Sequence, residues 1–422
     1  MRINPLNVFT PAQEIQDIDR FAGREEELQA LANALQSEGT QIAIYGQRGV
    51  GKSSLARQLL KLGTNDADVV SRLSTKPYET LDFVPAYVSC DDSVESVEDV
   101  LLRLLSDEEA LAPWVPFKVV EKSGTKNASG RFNVKVVQFS GGKEESMTAR
   151  AQNFEDDVIT VFSNACKEVN RTGVARHGVL VIVDEFDRVK DRSGLASLLK
   201  SLGPEGVTFA LVGVAPNVQE LITEHESVAR QLTGGTIHVP PMNPDQLDEI
   251  FDRAEKLMDS EYWFNREARD WIVGISRGHP FYIHLVGKYG LLEAIRQNSQ
   301  EITHPIAQDA LSEIALKGAA PIQEHTYKNA IGHSYTREFI LKRFAERDED
   351  EIHTTELYAN LSRSLGVEPS AVSVYVGQLA SEAYGGVLQK TRDRYYRFAD
   401  SLFKAYAAAR PYERTPTDQE GA

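Results

Sequence analysis

The fold of this chain is decided by the stretch Gly46-Gln47-Arg48-Gly49-Val50-Gly51-Lys52-Ser53. It fits the pattern G-x-x-x-x-G-K-[ST], a loop in which a glycine-rich backbone turns its N–H groups toward phosphate oxygens. The apolar run 41–45 before the loop predicts a short buried strand. The run 52–62 after it places leucines on one helical face, and the positive end of that helix also attracts phosphate. Strand, loop and helix therefore follow in the order that a nucleotide-binding loop requires.

The composition is that of a soluble globular protein with room for two or three domains. The chain has 422 residues, of which 41% are hydrophobic and 26% charged. No apolar run reaches the length of a membrane span, and residues 1–11 lack the apolar core of a signal peptide. Cys90 and Cys166 form no C-x-x-C pattern, which argues against a disulfide scaffold or a zinc site. We expect a cytoplasmic protein without membrane contact.

The formal net charge of −16 argues against nonspecific binding of nucleic acid by the whole surface.

The apolar pattern along the chain predicts an α/β fold with a parallel sheet. Uninterrupted Val/Ile/Leu strands at 179–183 and 207–214 alternate with helical segments, as in a sheet covered on both faces. The alternation is interrupted at about 106–151, where the pieces 117–120 and 132–139 predict hairpin strands between Gly- and Ser-rich turns. A short helix around 227–232 is expected before the last strand, 236–239.

Beyond residue 240 the pattern changes to helices alone. We expect a small bundle of helices over 241–320, a loop around 318–332, and then three helices and a hairpin, which together predict a winged helix over 333–410. The remaining parts are an N-terminal arm over 1–20 and a disordered tail over 411–422. The fold class is therefore α/β, with a P-loop NTPase sheet over 21–240 that has an insertion at 106–151, followed by the helical bundle and a winged-helix domain.

Two acids follow the most apolar strand, and they are candidates for the Mg²⁺ site and the water activator that ATP hydrolysis needs. Lys52 would bind the β- and γ-phosphates and the Ser53 hydroxyl would bind Mg²⁺. Asp184, directly after the strand at 179–183, would hold Mg²⁺ mostly through water, and Glu185 would orient or deprotonate the attacking water. The alternative is that these two acids are solvated side chains at a strand end. With the phosphate loop present, the pattern favours an Mg²⁺-dependent ATPase.

Two further residues have candidate catalytic roles with open alternatives. Asn217 follows the strand at 207–214 and could reach the γ-phosphate or the lytic water, or it could be a turn residue. Arg230 could enter a neighbouring subunit's site as an arginine finger, or it could be an exposed arginine.

Three motifs resemble the AAA+/STAND group of P-loop ATPases, and within it the archaeal-ATPase and replication-initiator-like branches. They are the run Phe21-Ala22-Gly23-Arg24-Glu25, the phosphate loop, and Asp184-Glu185-Phe186-Asp187. The resemblance implies ATP as the nucleotide, an ATPase core, a helical lid and a winged helix. It places Phe21 and Arg24 against the adenine, and it implies nucleotide contacts along the loop through Gly46, Gln47, Arg48, Gly49, Val50, Gly51, Lys52, Ser53 and Ser54.

One motif departs from the initiator pattern, which usually has a sensor arginine at the start of a lid helix. Here the sequence is Arg277-Gly278-His279-Pro280, similar to the G-x-P motif of STAND switch ATPases. The resemblance implies that His279 contacts the nucleotide phosphates and reports the nucleotide state. The alternatives are a helix-start histidine before a proline, or Arg277 acting as a displaced sensor.

These features predict an ATP-driven switch that assembles with itself or with a protein partner. The expected recognition helix at 369–383 contains no Lys or Arg, so a DNA-reading surface is only weakly supported. The hairpin holds cations, however, so a wing could touch phosphates. The alternative function is therefore a DNA-binding ATPase that acts as an initiator-like loader or transposition regulator.

Overall fold

The computed structural model describes residues 4–108, 110–112, 117–123, 133–138, 151–154, 158–222, 230–316, 320–347, 349 and 351–413. The chain divides into two compact units. The first comprises residues 14–47 and 51–240, and the second comprises residues 1–13, 48–50 and 241–422. The division after residue 240 falls where the sequence changes from alternating strands and helices to helices alone.

The first unit contains the parallel sheet. Its strands are β1 (Ile42–Gly46), β2 (Val84–Ser89), β3 (Phe117–Ser123), β4 (Asn133–Gln138), β5 (Ala151–Phe154), β6 (Val179–Asp184), β7 (Val207–Val214) and β8 (Thr236–His238). Five of them form one sheet in the order β2–β6–β7–β1–β8, with every neighbouring pair parallel. All six residues of β6 are buried, so both faces of the sheet are covered there, as the apolar run predicts.

The helices of the first unit cover this sheet. They are α1 (Glu25–Leu35), α2 (Lys52–Gly63), α3 (Ala67–Ser71), α4 (Val97–Ser106), α5 (Val158–Thr172), α6 (Leu195–Leu202) and α7 (Val218–Ile222). Helix α2 buries Leu55, Leu59 and Leu62 completely, which is the apolar face that the sequence predicts. Helix α4 begins with a capping box between Ser96 and Asp99.

The insertion contains one strand more than the sequence indicates. Strands β3, β4 and β5 form an antiparallel sheet in that order. Residues 151–154 pair with β4, and helix α5 is described from Val158 onward. The helix expected around 227–232 lies partly outside the described residues, and the chain from Arg230 to residue 235 forms turns.

The second unit is mostly helical. Its helices are α8 (Pro244–Leu257), α9 (Arg266–Ser276), α10 (Pro280–Arg296), α11 (His304–Leu316), α12 (Pro321–Ile331), α13 (Tyr335–Ala345), α14 (Thr354–Leu365), α15 (Pro369–Leu379) and α16 (Ser401–Ala409). Its strands are β9 (Trp263–Phe264), β10 (Glu301–Ile302), β11 (Ile352–His353), β12 (Leu388–Arg392) and β13 (Tyr395–Phe398). Strands β11, β13 and β12 pair antiparallel in that order. Helices α13, α14 and α15 precede the hairpin of β12 and β13, and the winged helix stays a prediction.

The N-terminal segment is an integral part of the second unit rather than a separate arm. Phe9 is 1% exposed, and its ring makes edge contacts with Phe251, Phe264 and His284. Glycine at 287 leaves space for that ring, since a Cβ there would lie 2.7 Å from it. The expected arm 1–20 is thus divided, because residues 14–20 belong to the first unit.

Two helices occur where the sequence predicts none. Helix α12 replaces the loop expected around 318–332, where Pro321 occupies the first helical turn, a position that proline favours. Helix α16 follows the hairpin, and its end is joined to α12 by a bidentate pair between Arg410 and Glu324, with both N–O distances 2.8 Å.

The start of the expected tail is also ordered. The backbone N–H of Glu413 donates to Glu338, and the ring of Tyr412 lies 6.3 Å from that of Tyr335. A disordered tail over 411–422 is therefore wrong for 411–413, and residues 414–422 lie outside the described part of the chain. Within that described part, no helix combines the length and apolar character that a membrane crossing needs.

Candidate nucleotide site

The phosphate loop joins β1 to α2, as the motif predicts. A Cβ at Gly46 would lie 2.3 Å from the carbonyl oxygen of Val239, so only glycine fits there. Gly51 has a φ of +97° and caps the N-terminus of α2, which is a conformation that glycine adopts without strain. Lys52 is 8% exposed, and its Nζ donates to the carbonyl of Gln47 at 2.6 Å. The lysine is therefore held inside the curve of the loop.

Residues 48–50 of the loop pack within the second unit, as does His279. A Cβ at Gly49 would lie 3.0 Å from Leu402 Cδ1 and 3.7 Å from His279 Nδ1. Val50 is 1% exposed and Arg48 is exposed. His279 is buried at the N-cap of α10, where Pro280 occupies the first helical position. His279 thus lies next to Gly49.

The two acids lie at the same edge of the sheet as the loop. Strands β1 and β6 are parallel and only β7 separates them, so their carboxyl ends meet at one edge. Asp184 ends β6 and is 4% exposed. Its Oδ1 accepts from the backbone N–H of Glu185 at 2.8 Å, and its Oδ2 accepts from the Tyr87 hydroxyl at 2.7 Å.

Burial governs the protonation of the groups beside Asp184. Burial, followed by the charge of Asp184, raises the pKa of Tyr87 well above its ordinary value, so the phenol stays protonated and donates. Burial also raises the pKa of the Cys90 thiol to about 12. Neither residue is part of the motif, and Tyr87 gives no signal in the sequence because its approach to Asp184 depends on the order of the strands.

Glu185 is held by an ion pair outside the motif. It adopts a left-handed backbone with a φ of +53°. Its carboxylate lies 2.7 Å from Arg188 Nη1, and Arg188 Nη2 lies 2.8 Å from Asp92. The side chain of Glu185 is 47% exposed, so water has access to its carboxylate.

The donor set fits Mg²⁺ and a nucleoside triphosphate. Ser53 offers a hydroxyl and Asp184 a carboxylate, which are the oxygen ligands that Mg²⁺ prefers. Among the described residues, no group of three or more His, Cys, Asp or Glu side chains could enclose a metal. Mg²⁺ that is bound with a nucleotide keeps several waters and takes oxygens from the phosphates, so one hydroxyl and one carboxylate are a sufficient contribution from the protein.

The two weaker catalytic candidates have defined positions. Asn217 caps the short helix α7, where its side chain pairs with the backbone and the carboxylate of Glu220 at 2.9 and 3.0 Å. It lies three residues beyond Val214, which pairs with Gly46 in the sheet. Arg230 is exposed in the turn before β8. Their catalytic roles stay predictions.

The candidate adenine residues and Ser54 have structural partners. Arg24 is 3% exposed and donates to Glu27 and to the carbonyl of Pro240, each at 2.7 Å. Phe21 is 4% exposed, and its carbonyl accepts from Arg72. The Ser54 hydroxyl accepts from the backbone N–H of Ile15 at 2.9 Å. These contacts hold the segment before α1 and the end of the first unit, and the nucleotide contacts of the three residues stay predictions.

The chain is similar to known proteins both in sequence and in fold. A sequence model of the AAA ATPase domain matches residues 20–210. Comparison with curated proteins gives no match. Among solved structures, the ORC2 protein of Aeropyrum pernix in its ADPNP–ADP complexes is 17% identical, with 96% of this chain and 97% of that chain covered and a TM-score of 0.52.

Two other solved structures have lower scores. Cdc6p from Pyrobaculum aerophilum is 13% identical, with 96% of this chain and 97% of that chain covered and a TM-score of 0.47. The RuvB Holliday junction branch migration motor of Thermotoga maritima is 17% identical, with 93% and 97% covered and a TM-score of 0.43.

Residues 20–210, which include the phosphate loop and the strand that ends at Asp184, are similar in sequence to the AAA ATPase domain. The overall fold is similar to that of the archaeal ORC2 protein. The expected α/β class with a parallel P-loop sheet is confirmed, and so is the expected resemblance to AAA+ ATPases, which the match of residues 20–210 carries.

Proposed function

We propose that this chain is an Mg²⁺-dependent ATPase whose nucleotide state controls the arrangement of its lid and C-terminal helices and its assembly with partners. The observation that carries the proposal is the shared edge of the sheet. The phosphate loop follows β1 at this edge, and Asp184 and Glu185 lie there at the end of β6. Lys52 would bind the β- and γ-phosphates, and Ser53 and Asp184 would hold Mg²⁺. Glu185 would orient the attacking water.

A bound Mg²⁺ would neutralise the charge that develops on the phosphates. The chain's own contribution is to position these groups. Buried Asp184 keeps a fixed carboxylate at the strand end, and the partly exposed Glu185 can meet water. The Lys52 ammonium has three N–H donors, and a phosphate oxygen is a stronger acceptor than the Gln47 carbonyl because it is charged.

A switch function is supported by the position of His279. This residue lies beside Gly49. It is also the N-cap of α10, the helix that begins at the proline of the G-x-P segment. A ligand shifts an equilibrium between two arrangements only by the difference in its affinity for them. Contacts of His279 with a γ-phosphate would supply such a difference in the ATP state and would lose it after hydrolysis.

Self-assembly or a protein partner is favoured over DNA as the object of the switch. Helix α15 contains no Lys or Arg. The hairpin cations lie near acids, with Arg392 3.2 Å from Glu351 and Lys390 3.9 Å from Asp393. We place the protein in the cytoplasm, with no membrane partner.

The test compares Lys52→Ala and Glu185→Gln proteins with the wild type. Lys52→Ala should abolish nucleotide binding, whereas Glu185→Gln should bind ATP and fail to hydrolyse it. Wild-type affinity in the Lys52→Ala protein would disprove the site. Sizing of the Glu185→Gln protein with ATP, with ADP and without nucleotide then tests assembly. A larger species only with ATP would support a trans-acting role for Arg230, and an unchanged monomer would remove it.

A further inference from the structure

Tyr87 lies between the two elements that carry the candidate magnesium ligands. In the register of β2 and β6, Tyr87 pairs with Ile182 and Ser89 pairs with Asp184. Residues two apart on a strand face the same side, so Tyr87 and Asp184 project from one face of the sheet. Helix α2, which begins at the phosphate loop and carries Ser53, contacts both of these strands.

The contacts of Tyr87 join this helix to the acid. Its hydroxyl donates to Asp184 Oδ2 at 2.7 Å. On the ring face, the guanidinium carbon of Arg57 lies 3.6 Å from the centroid, which is a cation–π contact. Arg57 follows Ser53 by one helical turn, and it also pairs with Glu14 at 3.0 Å. The ring of Tyr87 is therefore held on one face by Arg57 of α2, the helix that carries Ser53. The hydroxyl of Tyr87 is bonded to Asp184.

Resting on the proposed function, we propose that Tyr87 is a positioning residue for magnesium: its hydroxyl fixes the plane of the Asp184 carboxylate so that the metal-facing lone pairs are aimed before Mg²⁺ arrives.

Two donors set the orientation of this carboxylate. The N–H of Glu185 holds Oδ1 and the Tyr87 hydroxyl holds Oδ2. Each carboxylate oxygen can accept two hydrogen bonds, so both oxygens keep a lone pair for magnesium-bound water. Without the hydroxyl, the carboxylate of a residue that is 4% exposed would turn about its last torsion or recruit another donor. Partners of this kind typically contribute about 10- to 100-fold to metal affinity.

The experiment is a calorimetric titration of the full chain with a non-hydrolysable ATP analogue at a series of fixed Mg²⁺ concentrations and in EDTA. Tyr87→Phe keeps the ring and its contact with Arg57, so the fold should be retained, which thermal unfolding checks. We expect the Mg²⁺ concentration for half-maximal tightening to rise about tenfold or more, with the affinity in EDTA unchanged. An unchanged Mg²⁺ dependence would overturn the proposal.

Three further comparisons test whether the Tyr87 hydroxyl acts through Asp184. Tyr78→Phe makes the same chemical change at a side chain that is 95% exposed, and it should match the wild type. In an Asp184→Asn background, Tyr87→Phe should have no further effect, because the hydroxyl acts through the carboxylate. Arg57→Met removes the cation and keeps the hydroxyl, and it should shift the Mg²⁺ dependence in the same direction by a smaller factor. An additional loss in the Asp184→Asn background would contradict the proposed route.

The outcome also separates this inference from the proposed function. If the wild type binds no nucleotide, the proposed function fails. If the wild type shows Mg²⁺-dependent binding that Tyr87→Phe leaves intact, only the role of Tyr87 fails.

Discussion

Glu185 and Arg188 form an ion pair at 2.7 Å, three residues apart and directly after the acid strand. Arg188 also reaches Asp92 at 2.8 Å, so it joins the candidate water-activating carboxylate to the loop after β2. This pair competes with water for the Glu185 carboxylate, because one of its oxygens is engaged by the guanidinium.

Removing this competitor should raise the rate of hydrolysis. In an Arg188→Ala protein we expect kcat for ATP to rise by no more than about fivefold, since exposed ion pairs are weak. Nucleotide affinity should not change. Arg171→Ala is the matched control, because Arg171 pairs with Glu168 on α5 at the same spacing and distance. A steady-state assay with an unchanged or lower kcat in Arg188→Ala would contradict the idea.

Gly46→Ala tests the close approach of the loop to β8. The added Cβ would meet the Val239 carbonyl oxygen at 2.3 Å, and Val239 directly follows β8, which is held against β1 by strand pairing. We expect a loss of about 1–3 kcal/mol in the free energy of unfolding, measured by denaturant titration. Gly39→Ala is the control: it also has a positive φ, and nothing lies within 4 Å of its Cβ position. Equal losses in the two proteins would show that backbone strain alone matters.

Arg24 should be a major stabilising residue whatever its role toward the adenine. It is 3% exposed, and it connects Glu27, whose side chain is 12% exposed, to the carbonyl of Pro240. Arg24→Ala leaves a mostly buried carboxylate without this cation, so we expect a loss of about 3–5 kcal/mol in denaturant titration without nucleotide. Arg171→Ala should unfold like the wild type. A loss below about 1 kcal/mol for Arg24→Ala would show that its buried contacts are not important for folding.

The two cysteines should be inert in the native protein. Burial raises the pKa of both Cys90 and Cys166 to about 12. Iodoacetamide at pH 8 should therefore label neither thiol until denaturant is added, as read by mass spectrometry. An exposed thiol introduced by Glu38→Cys should react at once. Labelling of the native wild type would contradict the burial of these side chains.

The raised pKa values of the two thiols also predict how the free energy of unfolding depends on pH. The unfolded thiols ionise from about pH 9, while the folded ones stay protonated up to about pH 12. Their contribution is complete below pH 9 and is lost as the pH rises from 9 toward 12. The free energy of unfolding should fall over this interval by less in a Cys90→Ala/Cys166→Ala protein than in the wild type.

Local motifs made the centre of the site predictable. The phosphate loop and the acids after β6 are each continuous in sequence, and their residue types follow from the chemistry of phosphate and Mg²⁺. Tyr87 and Arg188 were not predictable in this way. Tyr87 reaches Asp184 only because β2 lies next to β6, and the order of strands is not written in any single segment.

The missed helices have a similar physical cause. Helix α12 buries Glu324, and the chain after α16 buries Arg410, so these segments lack the purely apolar stripe that a helical pattern normally shows. Their burial depends on the pair that the two residues make with each other. From sequence alone, a charged residue in a helix predicts an exposed side chain, because the residue with which it forms a buried ion pair is not known.

The contact of the N-terminal segment with the second unit has a consequence for biosynthesis. The backbone N–H of Thr10 donates to His284, which is 274 residues further along the chain. Phe9 and Thr10 therefore leave the ribosome long before the helix that receives them has been translated. Because domains generally fold as they emerge, the first unit can fold before the residues that contact this segment have been translated. The second unit can be completed only after His284 and its neighbours have been translated, and a fragment starting at residue 241 would lack the ring of Phe9 that fills its core.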